Sequence, residues 1–95
     1  MAVEFEWDPP KAAANARKHR ATFAEATTAF ADPLGRILDD PDHAVGERRL
    51  ILLAQSSRPR LPVVMFTERG PDRVRPISAR PATRPERRTY EERFR

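Results

Sequence analysis

Two apolar segments in the second half of the chain constrain its fold more than any other feature. Leu50 to Ala54 and Leu61 to Thr67 each have the length and the apolar character of a β-strand. The six residues that join them are polar. Two strand-like runs separated by a short polar connection predict a β-hairpin.

Further strand patterns extend this hairpin into a sheet. Residues 3–7 alternate apolar and acidic side chains, which is typical of a half-buried strand. A short strand is predicted after Gly35, and a longer one from Arg73 to about Ala79. Pro62 and Pro76 fall inside predicted strands, where proline cannot donate a ladder hydrogen bond. We therefore expect each proline at a strand start, an edge or a bulge.

Helix-start signals lie between and after these strands. Asp8 precedes two prolines, which predicts an N-cap. Thr22 with Glu25, and again Thr83 with Glu86, have the spacing of a capping box. The predicted order is β-α-α-β-β-β-β-α, an α+β fold with a mostly antiparallel sheet flanked by helices.

Aromatic side chains in the first third of the chain have the spacing of core residues. Phe5 and Trp7 share one face of the first strand, and Phe23 and Phe30 share one face of the second helix. Tyr90 allows two interpretations. Its hydroxyl could take part in chemistry, but an apolar residue four positions later favours packing of the last helix.

The length of the chain and its missing residue types exclude several classes of protein. Residues 1–95 suffice for a single domain. The absence of cysteine excludes thiolate catalysis and cysteine–zinc sites, and two histidines 24 positions apart leave few metal ligands. The apolar runs are far shorter than the roughly 20 residues that cross a bilayer. We expect a cytoplasmic protein with no cofactor, no metal and no membrane contact.

Positive charge is concentrated in the second half of the chain. Residues 1–47 contain five basic and nine acidic side chains, whereas residues 48–95 contain thirteen basic and five acidic ones. Sixteen of the eighteen basic residues are arginine, whose planar guanidinium suits two-point contacts with phosphate. This asymmetry indicates an anionic partner, most simply nucleic acid.

Five sequence segments occur in an order and spacing that span residues 3–92. They are FEWDPPKAAANARKH from Phe5, FAEATTAFADP from Phe23, the D-x-x-H and E-R-R stretch from Asp40 to Arg49, TERG from Thr67, and ISARPATRPERRTYEE from Ile77. Together these segments resemble the BrnT family of toxins from bacterial type II toxin–antitoxin systems. Arg20 stands where that family usually has glycine, so the turn between the first two helices is expected to differ.

The resemblance implies a RelE-like fold and a ribonuclease activity that blocks translation. It also implies neutralisation by a small BrnA-like antitoxin. Because that antitoxin binds the operator, contact with operator DNA is expected only through it. RNA is the implied substrate.

Metal-free RNA cleavage needs a base for the ribose 2′-hydroxyl, an acid for the leaving oxygen, and cations that stabilise the transition state. His19 lies in a Lys-His pair that matches the family and is a candidate acid or base, although it could simply cap the first helix. Glu47 is the alternative general base, although a carboxylate next to Arg48 is commonly a salt-bridge partner. His43 is expected to be a solvated turn residue.

Arginines at strand ends are candidates for stabilising the transition state. The predicted catalytic residues are His19, Glu47, Arg69 and Arg80, and the predicted substrate-binding residues are Lys18, Arg49, Arg75 and Arg84. Strict alternation along the last strand puts Arg73 and Arg75 on one face and Arg80 on the other. These arginines are therefore not expected to meet the same phosphate.

Two alternatives to a ribonuclease agree equally well with the charge. One is a non-catalytic module that binds RNA or DNA. The other is an interaction protein whose basic surface binds an acidic protein partner.

Overall fold

Eight secondary-structure elements follow one another in the predicted order. A computed structural model describes residues 3–40, 48–58 and 60–92, and within these ranges the chain forms three helices and five strands. The elements are β1 (Glu4–Phe5), α1 (Pro9–His19), α2 (Phe23–Ala29), β2 (Arg36–Asp39), β3 (Leu50–Leu53), β4 (Pro62–Glu68), β5 (Arg73–Pro81) and α3 (Arg84–Glu91). The predicted α+β class is confirmed.

The five strands form one sheet in the order β1-β5-β4-β3-β2. Strands β2 to β5 are antiparallel to their neighbours, and β1 runs parallel to β5. The hairpin predicted from the two apolar segments is confirmed as β3 and β4. Strands β1 and β2 form the opposite edges of the sheet.

The helices begin at the residues that the sequence predicts. The Asp8 carboxylate accepts a hydrogen bond from the amide of Lys11. Thr83 and Glu86 form a complete capping box, in which each side chain accepts a hydrogen bond from the other residue's amide. Among the described residues, no helix is long and apolar enough to span a bilayer.

The second predicted capping box is only half formed. The Thr22 hydroxyl accepts a hydrogen bond from the amide of Glu25 at 3.0 Å. The Glu25 carboxylate instead accepts from the Ser56 hydroxyl and forms an ion pair with Arg60. Arg60 lowers the pKa of Glu25 below its usual value, because it stabilises the charged carboxylate. These contacts hold the β3–β4 connection against α2.

Arg20 ends α1 in the left-handed conformation, with φ at 56°. Its amide donates to the carbonyl of Ala16 at 2.9 Å, which closes the last turn of the helix. A left-handed residue at this position is usually glycine, because a side chain crowds the following carbonyl. Arg20 therefore adopts a backbone conformation that usually favours glycine.

The main hydrophobic core lies between the sheet and helices α1 and α2. Phe30 is central to it, with ring centroids 5.1 Å from Phe5 and 5.0 Å from Phe66. Trp7 packs edge-on against the buried Phe23 at 6.0 Å. All four aromatic residues predicted to form the core belong to it or pack against it.

A buried asparagine attaches α1 to the edge of β5. Strand β1 pairs only with the first residues of β5 within the described structure. Further along β5, the Asn15 side chain accepts from the Ala79 amide at 3.1 Å and donates to the Ala79 carbonyl at 2.8 Å. It also donates to the carbonyl of Ala21 at 2.8 Å. The Asn15 side chain thus makes the hydrogen bonds that a neighbouring strand would otherwise make to this part of β5.

Helix α3 covers part of the other face of the sheet. Tyr90 is 8% exposed and packs with Leu53, Leu61 and Val63 in a second, smaller core. Its hydroxyl donates to the Asp32 carboxylate at 2.6 Å. These contacts support the packing interpretation of Tyr90.

Both strand prolines occupy positions of the expected kind. Pro62 is the first residue of β4. Pro76 lies at a β-bulge, because Met65 pairs with Ser78 while the next residue of β4 pairs with Pro76. The extra residue, Ile77, reverses the alternation of side chains along the rest of β5.

Because of this bulge, Arg80 does not lie on the face of the sheet that strict alternation predicts. Residues paired across neighbouring strands share a face, and Thr67 and Val63 lie on the same face of β4. Arg75 pairs with Thr67, and Arg80 pairs with Val63. Arg75 and Arg80 therefore lie on one face, and the prediction that they face opposite sides was wrong.

Candidate functional site

The sheet face that packs against α3 carries three rows of side chains that run across the strands. The register of the strands defines each row. The α3 row is Arg36, Leu53, Val63 and Arg80; the apolar row is Leu38, Ile51, Met65 and Ser78; the arginine row is Arg49, Thr67 and Arg75, with the buried Asp40 opposite Arg49 at its β2 end. Two basic rows therefore flank a less polar one on the same face.

The arginine row places two guanidinium groups on either side of one threonine. Leu50 pairs with Phe66, so Arg49, one residue earlier, lies in line with Thr67. The Arg49 carbonyl accepts from the amide of Asp40 at 3.1 Å, which extends the strand pairing to this residue. With strands about 4.8 Å apart, the backbones of Arg49 and Arg75 are about 10 Å apart. Two arginine side chains can contact one phosphate across this distance.

Two polar atoms of the arginine row are buried without a hydrogen-bond partner. They are Oγ1 of Thr67 and Nε of Arg49. Thr67 as a whole is 1% exposed. Buried polar atoms are nearly always paired, so unpaired ones require an explanation. Both atoms can donate a hydrogen bond, but neither is exposed at the surface of the described structure.

Arg80 is held by α3 through a two-point ion pair. Its two terminal nitrogens donate to the two carboxylate oxygens of Glu86, both at 2.8 Å. This pairing lowers the pKa of Glu86 to about 2 and raises the pKa of Arg80 above its usual value. Glu86 also completes the capping box with Thr83. Arg80 therefore has a structural role at the start of α3.

Arg69 lies at the other end of the β4–β5 hairpin from Arg80. It directly follows β4, and its amide donates to the carbonyl of Arg73 at 2.8 Å. Arg80 pairs with Val63, six residues before Arg69. At about 3.3 Å per residue, the two arginines are about 20 Å apart along the strand. The structure does not bring them to one reacting group.

Lys18 and His19 form the last turn of α1 on the other side of the sheet. Lys18 is exposed and His19 is half-buried. Residue Ala12 of the same helix packs against the main core, which lies on the face opposite the arginine row. The structure therefore does not bring His19 onto the arginine row.

The remaining predicted residues divide into two groups. Glu47 and His43 lie outside the described residues. Arg84 is the exposed first residue of α3, on the same exposed surface of the helix as Arg87 and Arg88. Of the predicted site residues, the structure aligns Arg49 and Arg75 in one row and places Arg80 on the same face.

Sequence reasoning missed Thr67 as part of the candidate site. The residue appeared only as the end of an apolar segment and the start of the TERG segment. Pro76, inside a predicted strand, was the one signal in the sequence that could have pointed to it. A proline there indicates a bulge, and the bulge determines which side chains share a face of the sheet.

Comparisons with known proteins agree with this architecture. Residues 7–86 match a family model described as the ribonuclease toxin BrnT of type II toxin–antitoxin systems. A comparison with curated protein sequences found no significant match.

The fold is also similar to a solved structure. The crystal structure of the Brucella abortus ribonuclease toxin BrnT superposes with a TM-score of 0.64 at 24% sequence identity, covering 87% of this chain and all of that one. The family match over most of the sequence shows that the chain belongs to the BrnT family of ribonuclease toxins from type II toxin–antitoxin systems.

Proposed function

We propose that this protein cleaves RNA at the arginine row, without a metal ion, and thereby inhibits translation. Arg49 and Arg75 are half-buried on either side of the buried Thr67, and their backbones lie about 10 Å apart on one face of the sheet. This arrangement is the observation that supports the proposal. A phosphate of the RNA backbone supplies acceptor oxygens and negative charge for the two guanidinium groups.

In this mechanism the arginine row binds the scissile phosphate and stabilises the charge that develops on it during attack by the ribose 2′-hydroxyl. Arg75 and Arg49 supply the cations, and Thr67 is buried between them. Arg80 acts as a positioning residue, because its guanidinium is engaged by Glu86.

The proposed general base is Glu47, which precedes Arg49 by two residues in the sequence. His19 is the competing candidate, but α1 packs against the opposite face of the sheet. The two are distinguished by Glu47→Gln and His19→Gln. The first variant should lose cleavage by at least about 100-fold, which is typical of removing a general base, while the second stays near the wild-type rate.

The decisive experiment follows cleavage of an end-labelled single-stranded RNA in excess EDTA. Wild-type protein should produce fragments that end in a 2′,3′-cyclic phosphate or in its 3′-phosphate product. Arg75→Ala should abolish most of the activity, whereas Arg87→Ala removes an exposed charge on α3 and serves as the matched control. Loss of activity in EDTA that only a divalent ion restores would refute the metal-free mechanism.

A non-catalytic RNA-binding module is the alternative function. In the described structure, the arginine row contains no histidine, and its one carboxylate, Asp40, is buried. RNA that binds to the wild-type protein with salt-sensitive affinity but stays intact would favour this alternative.

A further inference from the structure

Exposed large apolar side chains of the described residues are concentrated at one edge of the sheet. Ile37 is 58% exposed, Leu38 43% and Leu34 39%. A fourth, Val3, is 50% exposed next to β1 at the opposite edge. Several exposed apolar side chains at one sheet edge indicate an interaction site.

The backbone of β2 has hydrogen-bonding groups available on its outer side. The amide of Asp40 donates to the carbonyl of Arg49, so this pair belongs to the hydrogen-bonded set of the antiparallel ladder. Hydrogen-bonded pairs alternate with non-hydrogen-bonded pairs along an antiparallel ladder, so the amide and carbonyl groups of Leu38 also bond to β3. The amide and carbonyl groups of Ile37 and Asp39 therefore point away from the sheet, where the described structure has no further strand.

An apolar cleft adjoins this edge. It has a volume of about 130 Å³ and lies between α3 and the sheet. Its lining residues are Leu38, Ile51, Leu53, Val63, Glu86 and Thr89. Leu38 lines the cleft on the β2 side. A side chain that enters beside Leu38 would therefore contact apolar residues of β3 and β4.

We propose that an extended segment of the antitoxin adds a strand to β2. Its backbone pairs with the outward groups of Ile37 and Asp39, and its apolar side chains cover Ile37 on one face and enter the cleft beside Leu38 on the other. The proposal follows from membership of a type II toxin–antitoxin family, which implies an antitoxin partner. It does not depend on RNA cleavage by the arginine row.

Net charge favours the antitoxin over a second copy of this chain. Arg36 lies in β2, and Arg48 is exposed beside it in an ion pair with Asp39. The chain carries a net charge of +4, with the excess in residues 48–95. Charges at the edge itself are balanced, because Asp39 and Asp40 accompany Arg36 and Arg48. Two copies of a chain with a net charge of +4 would repel each other overall, whereas the family implies an antitoxin as the partner.

The test uses the small protein encoded next to the gene for this chain, with the affinity of the complex measured by calorimetry. Ile37→Lys should weaken binding at least about 10-fold, because it removes apolar contact and places a charge on the pairing edge. Val3→Lys makes the same change at the opposite edge of the sheet and should stay within about threefold of wild type. Both variants should cleave RNA at the wild-type rate, which separates this proposal from the proposed function.

Hydrogen exchange distinguishes strand addition from contact through side chains alone. The amides of Ile37 and Asp39 should exchange rapidly in the free protein and become protected in the complex. The amide of Leu38 should be protected in both states, because it already bonds to β3. If Ile37→Lys does not fold, Ile37→Thr keeps the branched shape of the side chain and provides the affinity comparison.

Results of three kinds would overturn the proposal. The first is absence of binding between the encoded neighbour and the wild-type chain. The second is equal weakening of binding by Ile37→Lys and Val3→Lys, or protection that excludes residues 37 and 39. The third is a dimer of this chain alone, in sedimentation experiments, that Ile37→Lys dissociates, because the edge would then be occupied by a second copy.

Discussion

The two terminal nitrogens of Arg80 lie 2.8 Å from the two carboxylate oxygens of Glu86. This ion pair joins the last strand to the first turn of the last helix, and Glu86 is also the capping residue of that helix. Arg80, predicted as a catalytic residue, is thus already engaged in the free protein. Its removal would weaken the attachment of α3 in addition to any effect on RNA.

The first prediction concerns acid stability. Arg80 lowers the pKa of Glu86 from 4.5 to about 2, so the charged carboxylate stabilises the fold above pH 4.5. This stabilisation is lost as the pH falls from about 4.5 to 2. In Glu86→Gln, which keeps the capping hydrogen bonds, the unfolding free energy should be lower by about 1–2 kcal/mol at neutral pH and less dependent on pH in this window. Chemical denaturation at a series of pH values measures both.

Glu91→Gln is the matched control for this prediction. Glu91 lies on the exposed side of the same helix, so its substitution should leave the acid profile of the wild type unchanged. If Glu86→Gln and the wild type lose stability in parallel between pH 4.5 and 2, the ion pair does not contribute as argued.

The second prediction concerns Asn15, whose three hydrogen bonds attach α1 to the edge of β5. Asn15→Ala leaves the amide and carbonyl of Ala79 and the carbonyl of Ala21 without partners. The unfolding free energy should fall by about 2–4 kcal/mol. Asn15→Asp has nearly the same volume but cannot donate to the two carbonyls. It should be similarly destabilised at neutral pH, and wild-type stability in that variant would contradict the role assigned to these hydrogen bonds.

Local sequence patterns predicted most of the elements. The caps at Asp8, Thr22 and Thr83 depend on side chains within three residues of their partners, so spacing alone identifies them. The apolar segments that form β3 and β4 are separated by six residues, which leaves little choice of pairing. These features are short-range, and a single sequence contains the information that they require.

The arrangement of the candidate site depends on contacts between distant residues. Arg75 and Arg80 share a face only because Ile77 is inserted at a bulge, which strict alternation does not anticipate. The bond of Asn15 to Ala79 spans 64 positions and has no local signature. The proline at 76 indicated a possible irregularity, but not which residue would be the extra one.

The third prediction uses the left-handed conformation of Arg20, where φ is 56°. Arg20→Gly removes the steric cost of a side chain in this conformation, so the unfolding free energy should rise by about 0.5–1 kcal/mol. Arg20→Ala keeps a β-carbon and therefore most of that cost, which makes it the control. Equal stabilisation by both variants would assign the effect to loss of the arginine side chain. Thermal and urea unfolding of the three proteins decide between these outcomes.

The final prediction concerns how RNA affinity depends on salt. Arg75 lies in the arginine row beside Thr67, whereas Arg87 is exposed on α3. If Arg75 neutralises one backbone phosphate, the slope of log affinity against log salt should become shallower by about 0.7 in Arg75→Ala. Binding of a non-cleavable single-stranded RNA analogue, measured by fluorescence anisotropy between low and physiological salt, gives this slope. Arg87→Ala should keep the slope of the wild type and most of its cleavage activity, while Arg75→Ala should lose most of its cleavage. Equal changes in both variants would mean that overall positive charge binds the RNA and that the arginine row is not a specific phosphate site.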